Sequence, residues 1–209
     1  AYTRATAKTL GGIEGETLDA QAELVATLIR THTKTEVGII NRGTFRKIEP
    51  QDTLRLRDVN QFIRFDDTLV KMILTGKQLK NIVKKSQGEQ EPEKTLVFSG
   101  LDPKNMTINR RPISDGESYK VVTVEFLAEG GDRYREFRNG ASVVRTGISL
   151  RSLVVAWLQA GSLSADGFKK LDGQSVWRSG SSKRRPVWSG VWSFRVKWSV
   201  PRWESSSRR

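Results

Sequence analysis

Two short polar runs, each at the end of an apolar strand pattern, constrain the fold of this chain more than any other feature. The run 41–46 (NRGTFR) follows a buried-strand pattern at 37–40, and the run 126–134 (FLAEGGDRY) follows another apolar stretch. An Asn and an Arg can bind an anionic, oxygen-rich ligand. An aromatic ring before a Gly-Gly-Asp turn can stack on a flat ring and bond a hydroxyl or ring nitrogen. Together the two runs indicate a nucleotide site.

Hydrophobic periodicity predicts alternating helices and strands in the first 165 residues. An amphipathic helix is expected at 18–31, and further helices begin after Thr75, in a capping box with Gln78, and after Ser149, ending at Gly161. Strands are predicted at 37–40, 68–74, 95–98 and 119–125. The stretch 95–125 reads as hairpin-like and interrupts the alternation, which favours an α/β fold with a mixed sheet over a purely parallel one.

Composition divides the chain near residue 165. We expect residues 1–165 to form one compact domain, and residues 166–209 to form a basic tail with five of the six Trp and eight of the thirteen net positive charges. The tail allows three interpretations: the start of a further β segment, a disordered or altered C-terminus, or a surface for an anionic partner. Irregular Trp spacing disfavours a membrane helix, and nucleic acid is not the expected partner.

At these motifs the chain resembles the C-terminal domain of the 5'-nucleotidase family, in consistent order over roughly residues 10–165. The Asn-Gly-Gly-Gly-Ile-Arg-like motif is the run 41–46. A Pro-Phe-Gly-Asn-like segment is at 64–67, followed by Leu-Thr-Gly at 74–76, and Phe-Leu-Ala-x-Gly-Gly-Asp is at 126–132. The resemblance implies a layered α/β fold with a mixed sheet, like that of the family domain.

The resemblance also implies a substrate site. Phe65 and Phe126 would sandwich a nucleobase, and Asp132 would bond the ribose hydroxyls after the Gly130-Gly131 turn. Asn41 and Arg46 would approach the phosphate. Each residue also has an ordinary structural interpretation, because strand-end aromatics usually pack in the core and Gly-Gly-Asp suits a turn.

The chain departs from the family pattern at several positions, and it has too few metal ligands for the family's catalytic half. Arg42, Arg64, Asp66 and Arg133 stand where the motifs have Gly, Pro, Gly and Gly. The chain contains one histidine and no cysteine, so a family-type dinuclear metal site cannot be built from it. We therefore expect no cofactor in this chain and a divalent metal pair in an N-terminal metallophosphatase domain of the same parent polypeptide.

The expected function is substrate recognition in a 5'-nucleotidase-type hydrolase of nucleotide catabolism, with a nucleotide or nucleoside as ligand. The alternatives are a divergent scaffold module and a nucleic-acid or surface-binding protein acting through the tail. No run of ~18 apolar residues predicts a membrane span, and no signal peptide is visible. The chain begins at Ala1 without an initiator Met, as expected of a mature product or excised piece. By resemblance we expect a periplasmic, secreted or cell-surface location.

Overall fold

The computed structural model describes residues 9–49 and 51–160. The helices are α1 (Leu18–Thr33), α2 (Leu56–Phe62), α3 (Gly76–Gln87), α4 (Glu125–Ala128) and α5 (Leu150–Ala160). The strands are β1 (Thr9–Ile13), β2 (Val37–Asn41), β3 (Gln51–Arg55), β4 (Thr68–Thr75), β5 (Leu96–Ser99), β6 (Leu101–Asp102), β7 (Thr107–Ile108), β8 (Arg111–Pro112), β9 (Ser118–Val124) and β10 (Ala141–Ser149). Gly161, the predicted boundary at 165 and the basic tail lie outside the described residues.

A five-stranded mixed sheet in the order β10-β4-β9-β2-β5 forms the centre of the domain. β2 runs parallel to β9, and the other neighbouring strands of this sheet are antiparallel. The predicted mixed α/β architecture is therefore confirmed. The stretch 95–125 contains the predicted hairpin-like strands, since β6, β7 and β8 form a small antiparallel sheet. Its outer strands β5 and β9 do not pair with each other, because β2 lies between them.

Helix α1 packs closely on the interior strand β2. All five residues of β2 are buried, as expected of a strand covered on both faces. A Cβ at Gly38 would lie 2.5 Å from the carbonyl oxygen of Ala26, so glycine allows this close approach. The Thr17 hydroxyl accepts from the Ala20 N–H at 3.1 Å and caps the helix.

The two predicted caps are confirmed. The Thr75 N–H donates to Gln78 Oε1 at 2.8 Å, and the Gln78 N–H donates to Thr75 Oγ1 at 3.3 Å, which closes the capping box of α3. The Ser149 hydroxyl accepts from the Ser152 N–H at 3.1 Å at the start of α5. Every helix within the described ranges is too short or too polar to span a bilayer.

Candidate functional site

The parallel pairing of β2 and β9 brings the two polar runs to one edge of the sheet. Val37 pairs with Val121, so both strands end on the same side. β2 ends at Asn41, and β9 leads into α4 and the Gly130-Gly131-Asp132 turn. The Asn41 amide consequently donates to Asp132 Oδ2 at 3.1 Å, across 91 positions of sequence.

A short hydrogen-bond chain orients the Asp132 carboxylate. Thr44 Oγ1 donates to Asn41 Oδ1 at 2.7 Å, which leaves the Asn41 NH₂ group to donate to Asp132. Asp132 has a left-handed backbone with φ of +51°, which Asp tolerates better than most residues. Burial raises the pKa of Asp132, and the hydrogen bond from Asn41 opposes this shift. The carboxylate keeps acceptor capacity for a ligand hydroxyl.

Four segments enclose a cavity of about 380 Å³ at this edge of the sheet. They contribute Asn41, Gly43 and Thr44; Arg64, Phe65 and Asp67; Glu91, Glu93 and Lys94; and Phe126 and Asp132. The structure thus brings together four of the predicted site residues, namely Asn41, Phe65, Phe126 and Asp132. The 91–94 wall was not predicted, because it follows α3 as a short charged loop without apolar periodicity.

Phe65 and Phe126 present exposed rings to the cavity. They are 55% and 43% exposed, whereas the neighbouring Phe62 is buried. The two exposed rings do not contact each other, since the aromatic pairs found among the described residues are Phe45–Phe62 and Tyr134–Phe137. Large apolar side chains left open to solvent on opposite segments of one cavity are typical of a ligand site.

The two predicted glycines support the cavity without lining it. A Cβ at Gly131 would lie 2.5 Å from Cε1 of Phe126, so the ring packs directly on this glycine. Gly130 has φ of +81°, and a Cβ there would lie 2.6 Å from Arg138 Nε. Both positions therefore require glycine to place Phe126 and Asp132.

Arg46 lies in a neighbouring cleft. Its side chain is exposed and lines a space of about 520 Å³ together with Lys47, Asn60 and Gln61. Arg64 and Phe65 line both this cleft and the cavity. Arg46 is therefore separated from Asn41 and Asp132 by the Arg64–Phe65 segment, although the two spaces are adjacent.

The four residues named above as departures from the family motif, Arg42, Arg64, Asp66 and Arg133, each have a partner within the described part of the chain. Arg42 Nε lies 2.6 Å from Asp19 Oδ1, and Arg42 lines a separate groove of about 1150 Å³ beside β5 rather than the cavity. Asp66 pairs with Arg151 at 3.6 Å. Arg133 reaches Glu91 at 3.4 Å.

Of these four residues, Arg64 lines the cavity itself. Its guanidinium carbon lies 5.3 Å from the centre of the Phe65 ring, within the range of a cation–π contact. Arg64 Nη1 lies 3.9 Å from Glu93 Oε1. The second cation of the cavity, Lys94, pairs with Glu91. Both cations are thus partly neutralised by acidic neighbours.

The acidic groups of the cavity outnumber these cations. Asp67 lines the wall beside Phe65, and burial together with the carboxylates of Glu125, Asp66 and Glu129 raises its pKa. Within residues 9–49 and 51–160, no group of three or more His, Cys, Asp or Glu side chains could hold a metal ion. The described residues therefore do not fit a metal pair, and we derive no catalytic step from them.

The chain belongs to the 5'-nucleotidase C-terminal domain family, whose model matches residues 6–139. No curated protein matches the chain significantly by sequence.

Solved structures share the fold at low sequence identity. The 5'-nucleotidase precursor from Thermus thermophilus superposes with a TM-score of 0.63 at 20% identity, covering 76% of this chain and 38% of that chain. NAD nucleotidase (NadN) from Haemophilus influenzae gives a TM-score of 0.60 at 14% identity, covering 78% and 38%. The sulfate thiohydrolase SoxB from Thermus thermophilus gives 0.56 at 16% identity, covering 77% and 34%. The chain thus spans little more than a third of the length of these proteins.

Proposed function

We propose that this domain recognises a nucleoside or nucleotide in the cavity between Phe65 and Phe126. The observation that supports this proposal best is the pair of exposed rings in the same cavity as the Asn41–Asp132 hydrogen bond. A volume of about 380 Å³ falls within the ordinary range for small-molecule sites. Because stacking on aromatic side chains is worth about 1–3 kcal/mol per base, two rings could supply most of the affinity for a nucleoside.

Polar side chains around the cavity bind the ribose and the phosphate of the ligand. The Asp132 carboxylate accepts hydrogen bonds from the ribose hydroxyls. The hydrogen bond from Asn41 holds the carboxylate in position for this contact. Arg46 and Lys47 receive the phosphate in the adjoining cleft, where Arg46 offers a planar fork of donors. A phosphate group is better accommodated there than in the acidic cavity. The nucleotide therefore lies across the Arg64–Phe65 segment.

In this proposal, hydrolysis is carried out by a longer polypeptide that contains this domain. An N-terminal metallophosphatase domain holds a divalent metal pair, which supplies the chemistry of phosphate-ester hydrolysis on nucleotides or nucleotide sugars. The residues of this chain bind base and ribose and orient the ester, which lowers the barrier through positioning. The site of action is periplasmic, secreted or cell-surface. SoxB shares the fold although it is a sulfate thiohydrolase, so the fold alone does not decide the substrate.

Calorimetric titration of the full chain with adenosine, AMP and UMP tests the proposal. We expect base-dependent binding that Phe65→Ala and Phe126→Ala each weaken at least tenfold, since each variant removes one stacking surface. Phe98→Ala serves as the matched control, because Phe98 is partly buried and lines the separate groove beside β5. Absence of nucleoside binding to the unmodified chain would contradict the proposal.

The contact between Arg64 and Phe65 favours a second candidate, a scaffold module that has lost ligand binding. The guanidinium covers part of the ring that the base would use. If this contact blocks the site, Arg64→Ala should restore nucleoside binding to a chain that otherwise shows none. If nucleosides bind the unmodified chain, the scaffold interpretation fails. The nucleic-acid alternative concerns residues 166–209, outside the described residues, and stays a prediction.

A further inference from the structure

We propose that Asp67 selects the base, favouring rings that present N–H donors at their edge, with guanine preferred. This inference rests on the proposed nucleoside site and names the class of substrate that the site takes. Asp67 lines the same cavity as the two exposed phenylalanines. It follows Phe65 by two residues, so its carboxylate lies on the wall next to the stacking ring.

Asp67 differs from the carboxylates around it, because it has no cationic partner among the described residues. Glu125 Oε1 lies 2.8 Å from Arg145 Nε. Asp66 pairs with Arg151 at 3.6 Å. The main-chain oxygen of Asp67 accepts from the Leu150 N–H, but no described side chain donates to its carboxylate. A half-buried acceptor is thus left free in the wall of the cavity.

The surroundings of the Asp67 carboxylate disfavour its negative charge, and a ligand that donates hydrogen bonds can compensate for this. Burial and the three neighbouring carboxylates raise the pKa of Asp67, which means that its charge is held in an unfavourable environment. Hydrogen bonds from a ligand would stabilise that charge. The two cations of the cavity do not stabilise this charge, because Arg64 pairs with Glu93 and Lys94 pairs with Glu91.

The geometry of a carboxylate discriminates between bases. Guanine presents N1–H and an amino N–H side by side, which match the two oxygens of one carboxylate. Adenine and cytosine offer one amino donor beside a ring acceptor that faces the second oxygen. Uracil places its single N–H between two carbonyl oxygens, which repel a carboxylate. The expected order is guanosine, then inosine with its single N1–H, then adenosine and cytidine, and last uridine.

Titration calorimetry on the full chain with guanosine, inosine, adenosine, cytidine and uridine tests the inference. We expect guanosine to bind at least tenfold tighter than uridine, since a hydrogen bond to a charged group typically contributes that much. Asp67→Asn presents one donor and one acceptor instead of two acceptors. It should reduce the ratio of guanosine to uridine affinity about tenfold. Asp115→Asn is the matched control, because it removes the charge of an exposed carboxylate that pairs with Lys80 outside the cavity lining, and it should leave the ratio unchanged.

A thermal melt of each variant separates recognition from folding. Because Asp67→Asn removes a charge from among like charges, its melting temperature should equal or exceed that of the unmodified chain. A merely structural role for Asp67 would lower it. Nucleoside binding with the same affinity for all bases, or a ratio unaffected by Asp67→Asn, would overturn the inference and leave the proposed function standing. Absence of binding by every nucleoside would overturn both.

Discussion

The hydroxyl of Tyr134 donates a hydrogen bond to the main-chain oxygen of Lys94 at 2.9 Å. This contact joins the turn that carries Asp132 to the 91–94 wall of the cavity. Tyr134 is fully buried and packs edge-to-face on Phe137. Two segments that the sequence separates are therefore held at a defined distance across the cavity.

Replacement of this hydroxyl should weaken both the fold and the site. Tyr134→Phe loses one buried hydrogen bond, so the free energy of unfolding in urea should fall by about 1 kcal/mol. Adenosine affinity should fall about threefold, since the wall at Lys94 is held less firmly. Tyr119→Phe is the control: the Tyr119 hydroxyl bonds Glu117 at 2.9 Å outside the cavity. An equal loss of affinity in both variants would contradict this role.

Alkaline pH should destabilise the domain through the same tyrosine. Burial raises the pKa of Tyr134 to about 12, whereas an unfolded tyrosine ionises near pH 10. The unfolded state therefore gains stability by releasing a proton above pH 10, and the free energy of unfolding falls as pH rises toward 12. The shift corresponds to about 2–3 kcal/mol in total.

Urea unfolding at pH 9, 10 and 11.5 measures this effect. Tyr134→Phe should show a much smaller fall over the same range. A residual fall is expected from Tyr119, whose pKa is also raised by burial. If the variant and the unmodified chain lose stability in parallel, the assignment to Tyr134 is wrong.

Because Gly131 contacts the Phe126 ring, adding one methyl group at residue 131 should strongly reduce nucleoside affinity. Gly131→Ala would place a Cβ 2.5 Å from Phe126 Cε1 and 2.6 Å from the main-chain oxygen of Phe126, so both the ring and its backbone must shift from the stacking position. Nucleoside affinity should fall at least fivefold by calorimetry. Gly116→Ala is the matched control, because a Cβ there meets nothing within 4 Å. Unchanged affinity in Gly131→Ala would remove Phe126 from the site.

The role of Asp132 predicts a dependence on the ribose hydroxyls. The unmodified chain should bind adenosine about tenfold more tightly than 2',3'-dideoxyadenosine, which lacks both hydroxyls. Asp132→Asn retains tolerance for the left-handed backbone but weakens the acceptor pair. It should therefore bind the two ligands with similar affinity. A persistent tenfold preference in Asp132→Asn would assign the hydroxyl contact elsewhere.

Strong periodic patterns predicted the elements that build the centre of the domain. The observed α1, β2 and β4 agree with the predicted spans within about two residues, and α3 begins where predicted, because each has a buried apolar face or a capping pair. β10 was not predicted, since its first five residues are exposed and show no alternation. β1, β3 and α2 were also missed, because they are short and find their partners only in the folded chain.

The sequence predicted those residues of the site that lie at strand ends, but not those whose positions depend on loop packing. Asn41 and Asp132 are recognisable as polar residues at strand ends, and the parallel β2–β9 pair brings them together. The position of Arg46 in the adjoining cleft and the acidic wall at 91–94 depend on how loops pack. That packing leaves no periodic signal in the sequence.

The parallel register of Val37 with Val121 has a consequence for the order of events during folding. Contacts between residues this far apart must overcome a large loss of chain entropy before they contribute stability. The helices and the antiparallel β4–β9 pair are more local, so they can form earlier. The ligand cavity therefore depends on a pairing between distant parts of the chain, and a bound ligand would mark molecules in which that pairing has formed.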